Sequence, residues 1–218
     1  MPDKTTAPFK SDIDYLYAEI EYVRLRSNRL GTMNRISDEE ARLAPLRGVV
    51  GLTAPTQIEE LYRVLAVHRS AEDDLRQSID DRLAVNRAVG PALGLDSLCR
   101  ELHLGQLERT TLLLALLPVL GSDISSVADP ACPRGLCGSW CSAEFVWAYL
   151  ELPLKARAAS LTALRRGAPL IREGLVAIDI GRNATPASFA TARIEVTHKA
   201  FAKIVGIPSL EEEGPVER

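Results

Sequence analysis

Between Gln57 and Val89 the chain has neither proline nor glycine, and one stripe of positions recurs three or four residues apart. The stripe runs Ile58, Leu61, Leu65, His68, Glu72, Leu75, Ile79, Leu83 and Asn86. A strand cannot use that period, so the segment is predicted to be one long helix over 57–89. Thr56 and Glu59 ahead of it have capping-box spacing. A second stripe, Ile13, Leu16, Ile20, Val23, Ser27 and Leu30, predicts a helix that starts at Asp12 behind a Ser11 cap. Its first half is rich in acids and its second half carries Arg24, Arg26 and Arg29, an order that suits the helix dipole. Ser37-Asp38-Glu39-Glu40 predicts a separate short helix ending near Pro45. The two long helices, joined through Pro45, Gly48 and Gly51, then form an antiparallel hairpin. His68 and Glu72 on the stripe suit a partner-facing surface better than a tight core. That makes Ile13, Leu16, Ile20, Val23, Ile58, Leu61 and Leu65 the candidate partner-binding residues.

Gly90-Pro91 punctuates the chain, and a different module comes after it. Asp96 can cap a short helix to His103, Gly105 turns the chain, and a leucine-rich helix runs over 106–117, the spacing of a helix-turn-helix. A stretch rich in Gly, Cys and Pro (121–141) leads to helices over 142–150 and 154–166. Strands are expected over 175–180 and 192–197, joined by a loop over 181–191. A last helix, 198–205, ends at Gly206, and an acidic tail completes the chain. The fold expected is mainly α: a flexible lead-in (1–10), an antiparallel helical hairpin (11–90), a winged-helix-like domain with a two-stranded wing (91–206), and the tail (207–218).

Composition narrows the function classes. The chain has 218 residues, 46% hydrophobic and 25% charged, with net charge −3. Such a chain is neither disordered nor polybasic. The apolar run from Leu112 to Leu120 is short. A bilayer span needs roughly 20 residues. Met1 to Phe9 has no apolar stretch resembling a signal peptide, and four cysteines do not make a disulfide scaffold. The expectation is a cytoplasmic protein with reduced thiols and no membrane contact. Cys132, Cys137 and Cys141 (C-x4-C-x3-C) would make a structural zinc site only if the fold brought in Cys99 or His103 as a fourth ligand, and no metal or cofactor is expected. His68, His103 and His198 are isolated from one another. Neither Gly-x-Ser-x-Gly nor His-Glu-x-x-His occurs, and none of the five lysines follows a glycine as a phosphate-binding loop requires. The expectation is a non-enzymatic chain.

The stretch Leu98-Cys-Arg-Glu-Leu-His-Leu-Gly-Gln-Leu-Glu-Arg-Thr-Thr-Leu-Leu-Leu-Ala-Leu-Leu-Pro118 combines a short helix, a Leu-Gly turn, a Glu-Arg pair and a leucine run. With Gly167-Ala-Pro-Leu-Ile-Arg-Glu-Gly-Leu175 and the helix ending Ile204-Val-Gly206, it resembles the N-terminal region of a bacterial AAA-type ATPase family, including ATPases encoded with contractile injection systems. The resemblance implies a hairpin plus winged helix that packs on an ATPase core. The chain itself has no phosphate-binding loop, and residues 129–140 fit the family pattern poorly.

Two readings emerge. In the first, a non-catalytic domain contacts a protein partner, a copy of itself or an AAA-type ATPase core through the striped hairpin. In the second, the winged segment binds nucleic acid. Residues 151–206 hold nine Lys or Arg against four acids, a local net of +5, with Arg165, Arg166, Arg182 and Arg193 as candidate phosphate contacts. The helix over 106–117 is apolar nearly all round, which favours the first reading.

Overall fold

A computed structural model describes residues 7–46, 56–132, 140–180 and 185–207. Two long helices, α1 (Asp12–Leu43) and α2 (Thr56–Val89), form the predicted antiparallel hairpin. Side-chain pairs fix its sense. Asp14 meets Arg82, Tyr22 meets Glu72, Thr32 meets His68 and Glu40 meets Tyr62, so one partner number rises as the other falls. Ser11 caps α1 by accepting from the Asp14 N–H at 3.2 Å.

The break expected after Leu30 does not occur: α1 runs through Gly31 and through Ser37–Glu40 to Leu43. Gly31 serves close packing instead. A Cβ there would lie 2.8 Å from the Pro130 carbonyl oxygen. That carbonyl belongs to a 3-10 turn (Ser126–Ala131) that packs along α1. The lead-in is also tied down near its end. Phe9 is fully buried, and Asn86 accepts from its N–H at 2.6 Å and donates to its carbonyl at 3.0 Å.

The second half begins with α3 (Gly94–Glu101) and α4 (Gln106–Leu120). Asp96 lies inside α3 and pairs with Arg87 of α2 rather than capping. The Gly94 N–H donates to the Asp12 carboxylate. After these come α5 (Ser122–Ser125), α6 (Ala143–Tyr149), α7 (Leu154–Ser160, extended by a 3-10 turn Leu161–Leu164) and α8 (Pro169–Arg172). The wing consists of β1 (Val176–Asp179) and β2 (Arg193–Val196), antiparallel with Val176 opposite Val196 and Asp179 opposite Arg193. The segment between them, expected as a loop, contains the helix α9 (Pro186–Thr191). The last helix, α10 (His198–Val205), ends at Gly206 in the left-handed conformation, φ 71°, as its sequence predicted.

One bridge outside the strands clarifies the architecture. Cys141 pairs with Ile194 of β2, and the Ile194 N–H donates to its carbonyl at 2.9 Å. The order is therefore helix α4, a bridging residue, helix α6, a turn, helix α7, then the two-stranded wing, with β2 and α6 both packed on α4. The central support of this unit is α4, whose residues 110–117 are buried without exception. One apolar cluster spans Phe9 and Val23 of the hairpin side, Leu112 and Leu116 of α4, and Ile194 and Ile204 of the wing side. At about 1.5–3 kcal/mol for each fully buried leucine, α4 is among the strongest contributors to that core.

Candidate nucleic-acid interface

Two pairs of helices in the chain have helix-turn-helix spacing: α3 with α4 around residues 102–105, and α6 with α7 around residues 150–153. The sequence pointed to the first pair. Burial of residues 110–117 leaves the second helix of that pair without a free face, so it cannot read a groove. The second helix of the other pair, α7, is exposed along most of its length, with Leu154 at 82%.

The residues around α7 account for that position. Ser142 caps α6 by accepting from the Phe145 N–H at 3.2 Å, while Phe145, Val146 and Tyr149 anchor α6 in the core. The turn then needs a left-handed residue, and Glu151 supplies it at φ 54°. That conformation costs about 1–2 kcal/mol for a side chain with a Cβ. At the far end, the Trp147 indole N–H donates to Ser160 Oγ at 2.6 Å, and Ala163 and Leu164 are buried. Between these anchors Lys155 and Arg157 stand in solvent, and Arg165 and Arg166 lie just beyond. From Leu152 to Arg172 there is no acidic residue. The acids that flank the stretch are both engaged: Glu173 by Arg172 at 2.7 Å, and Glu151 by the hairpin.

Glu151, itself exposed, reaches into an ionic cluster whose other members, Arg29, Arg26 and Glu72, are largely buried. Its Oε2 accepts from Arg29 Nη2 at 2.6 Å and lies 3.6 Å from Arg26 Nη2. Arg29 Nε donates to Glu72 Oε2 at 2.6 Å, and Arg26 Nη1 donates to Glu72 Oε1 at 2.9 Å. Arg26 Nε also donates to the Tyr149 carbonyl at 3.0 Å, and its guanidinium stacks 5.1 Å over the Tyr149 ring. Burial works to raise the Glu151 pKa, but the Arg29 hydrogen bond and the charges of Arg29, Arg26 and Arg69 hold it below the ordinary carboxylate value. A second cluster sits under α4. Glu19 is fully buried, and its Oε1 accepts from Arg109 Nη2 at 2.6 Å, with Arg76 at 3.5 Å. Arg109 also donates to the Tyr15 hydroxyl at 2.8 Å, and burial pushes that phenol's pKa up.

The sequence-predicted site residues divide sharply. Leu16, Val23 and Leu61 are buried, while Ile20, Ile58 and Leu65 are half-buried. The stripe is spent on closing the hairpin and seating it on the rest of the chain, and only Ile13, at 52% exposure, offers surface. The polar stripe positions hold buried partners: Glu72 its two arginines, and His68 the Thr32 hydroxyl at 3.3 Å. Arg165 and Arg166 are exposed beside α7, whereas Arg193 pairs with Glu195 at 2.6 Å and lies in register with Asp179. Arg182 lies outside the described residues. The wing strands therefore add no net positive charge to α7.

The other chemistry weighed in the sequence finds these positions. Cys132 is disulfide-bonded, against the expectation of reduced thiols throughout, while Cys99 and Cys141 are free. Burial pushes the Cys99 thiol up to about 11 and Cys141 up to about 12, so neither is a thiolate near neutrality. Cys137 lies outside the described residues, among which no cluster of metal-ligating side chains occurs. Nor is any described helix long and apolar enough to cross a membrane. A cleft of about 870 Å³ runs between α2, α3 and the start of α4. Three of its four arginines are matched by carboxylates: Arg76 by Asp80, Arg87 by Asp96 and Arg109 by Glu19.

A helix pair with an exposed second helix, a one-residue bridge to β2 and a two-stranded wing define a winged-helix protein. The family model described as a winged helix domain, variant, matches residues 1–213, and the chain belongs to that family. No curated protein and no solved structure matches it.

Proposed function

We propose that the chain is a non-catalytic winged-helix binding module whose working element is α7 with Arg165 and Arg166, and that this element grips the phosphate backbone of double-stranded nucleic acid. The observation that carries the reading is an exposed helix after a tight turn with an acid-free, cation-bearing stretch from Leu152 to Arg172. Its exposed cations suit phosphate oxygens, and the same Lys and Arg side chains can also reach guanine edges, so the salt slope rather than residue type tells backbone contact from base readout. Lys155, Arg157, Arg165 and Arg166 supply four phosphate partners. The slope of log affinity against log salt is then about −3.6 for a B-form duplex.

The test is fluorescence anisotropy of a labelled 20-base-pair duplex across a salt series. Expected are binding at low salt, loss with roughly that slope, and loss of binding when the four cations become alanine. No binding even at low salt removes the reading.

A protein partner is the second reading, and the 82% exposure of Leu154 beside Ala158 and Ala159 favours it. An acidic surface with an apolar centre suits that face, and the resemblance to the N-terminal regions of AAA-type ATPases supports an ATPase core as its owner. Retention by such a core, with no duplex binding, would select this reading.

A further inference from the structure

Apart from its two ends, α7 has little to hold it. Its N-cap, Pro153, makes no side-chain cap, and its chief packing partner is its own 3-10 continuation. The turn in front of it is gripped from outside by Arg29 and Arg26 of α1, which are themselves locked to Glu72 of α2. The Arg29 side chain is 7% exposed and bridges two carboxylates with separate nitrogens. A single ammonium cannot reproduce that geometry. The turn residue it grips, Glu151, is the one in the left-handed conformation, and Arg26 of the same pair holds the Tyr149 carbonyl just before it. Besides the local turn bonds, in which Arg157 Nε donates to the Leu152 carbonyl at 2.7 Å and the Leu152 N–H to the Trp147 carbonyl at 2.9 Å, the charged ties at the entrance to α7 lead to the hairpin.

We infer that Glu151 is a positioning residue: through Arg29 and Arg26 the hairpin sets the attitude of α7, so that the helix presents its cations as a rigid row. This inference rests on the reading of α7 as the binding element. It yields an unusual sign. By charge alone, removing an acid next to a phosphate-binding face tightens binding to a polyanion. A positioning role predicts the opposite, because a loosened α7 must be ordered again when it binds.

The experiment uses the whole chain as wild type, Glu151→Gln and Arg29→Lys. The lysine variant keeps the local charge and removes only the bridge, and it guards against misfolding of the first. Hydrogen exchange is followed in peptides covering 150–164, with 106–117 of α4 as the internal standard, and affinity is read on the same 20-base-pair duplex. Expected for both variants are exchange about fivefold faster over 150–164, unchanged exchange over 106–117, and several-fold weaker duplex binding. Unchanged exchange over 150–164 overturns the inference, and so does faster exchange with equal or tighter binding. If the wild type binds no duplex, the proposed function fails by itself. The exchange pattern then still decides whether the hairpin holds α7.

Discussion

The two helix-turn-helix units of this chain share one turn and put it to opposite uses. Leu102-His-Leu-Gly105 and Leu150-Glu-Leu-Pro153 have the same pattern, with a left-handed non-glycine residue second, His103 at φ 51° and Glu151 at φ 54°. The hydrogen bonds match as well. The Leu104 N–H donates to the Cys99 carbonyl and the Leu152 N–H to the Trp147 carbonyl, five residues back in each case, at 2.8 and 2.9 Å. The second helices differ. One, α4, enters the core with eight consecutive buried residues, whereas α7 stays on the surface with its cations. Turn geometry therefore specifies only how the chain reverses. The composition of the second helix decides whether it becomes scaffold or surface.

Breaking the scaffold side should have the largest effect. Arg109, at the start of α4, is the closest cation to the fully buried Glu19, whose other oxygen has no hydrogen-bond partner. Arg109→Met leaves that carboxylate with only Arg76 at 3.5 Å. The expected loss is about 3 kcal/mol, or a fall of roughly 6–12 °C in Tm, read by circular dichroism. A melt indistinguishable from wild type would show that α4 is not anchored through this pair.

The legible and illegible parts of the chain divide along the same line. Hairpin, wing and terminal helix could be read because period and cap signals are local: helical spacing for α1 and α2, alternation for β2, glycine after α10. The continuation of α1 past Leu30 is not legible because its apolar stripe ends there and Ser37–Glu40 looks like a fresh cap; the approach of Pro130 that Gly31 permits lies far away in sequence. The stripe reads as a partner surface because periodicity reports that a face is covered, not by what. Glu72 looks like a flaw in that stripe. Its two arginines lie on the other helix, and a cross-helix ionic cluster has no local signature. The helix over 154–166, with Arg165 and Arg166, is legible in the sequence; what is not is that its preceding turn repeats the first, Leu-x-Leu-Gly and Leu-x-Leu-Pro, with the second helix on the surface rather than in the core.

A smaller effect separates the two turns by pH. The Glu151 carboxyl is held below its ordinary value in the folded chain. It therefore contributes stability above its unfolded pKa of about 4.3. That contribution disappears as pH falls through the depressed folded value. The Tm difference between wild type and Glu151→Gln should be present at about pH 6–7 and shrink below about pH 4. A gap that persists unchanged into acid would mean that the charge of Glu151 is not what matters.

The smallest effect compares the two left-handed residues directly. Glycine adopts a left-handed φ without the roughly 1–2 kcal/mol that a Cβ costs, but it adds freedom to the unfolded chain, which offsets part of the gain. His103 is exposed and has no side-chain hydrogen bond among the described residues. The expectation for His103→Gly is a neutral outcome or stabilisation by up to about 1 kcal/mol. Glu151→Gly relieves the same strain yet removes the acceptor that Arg29 reaches at 2.6 Å, so it should destabilise. Urea melts of the two variants should move in opposite directions from wild type, or at least differ in that order. If they coincide, the turns are equivalent in energy as well as in shape, and the hairpin's hold on Glu151 contributes nothing to the stability of the fold.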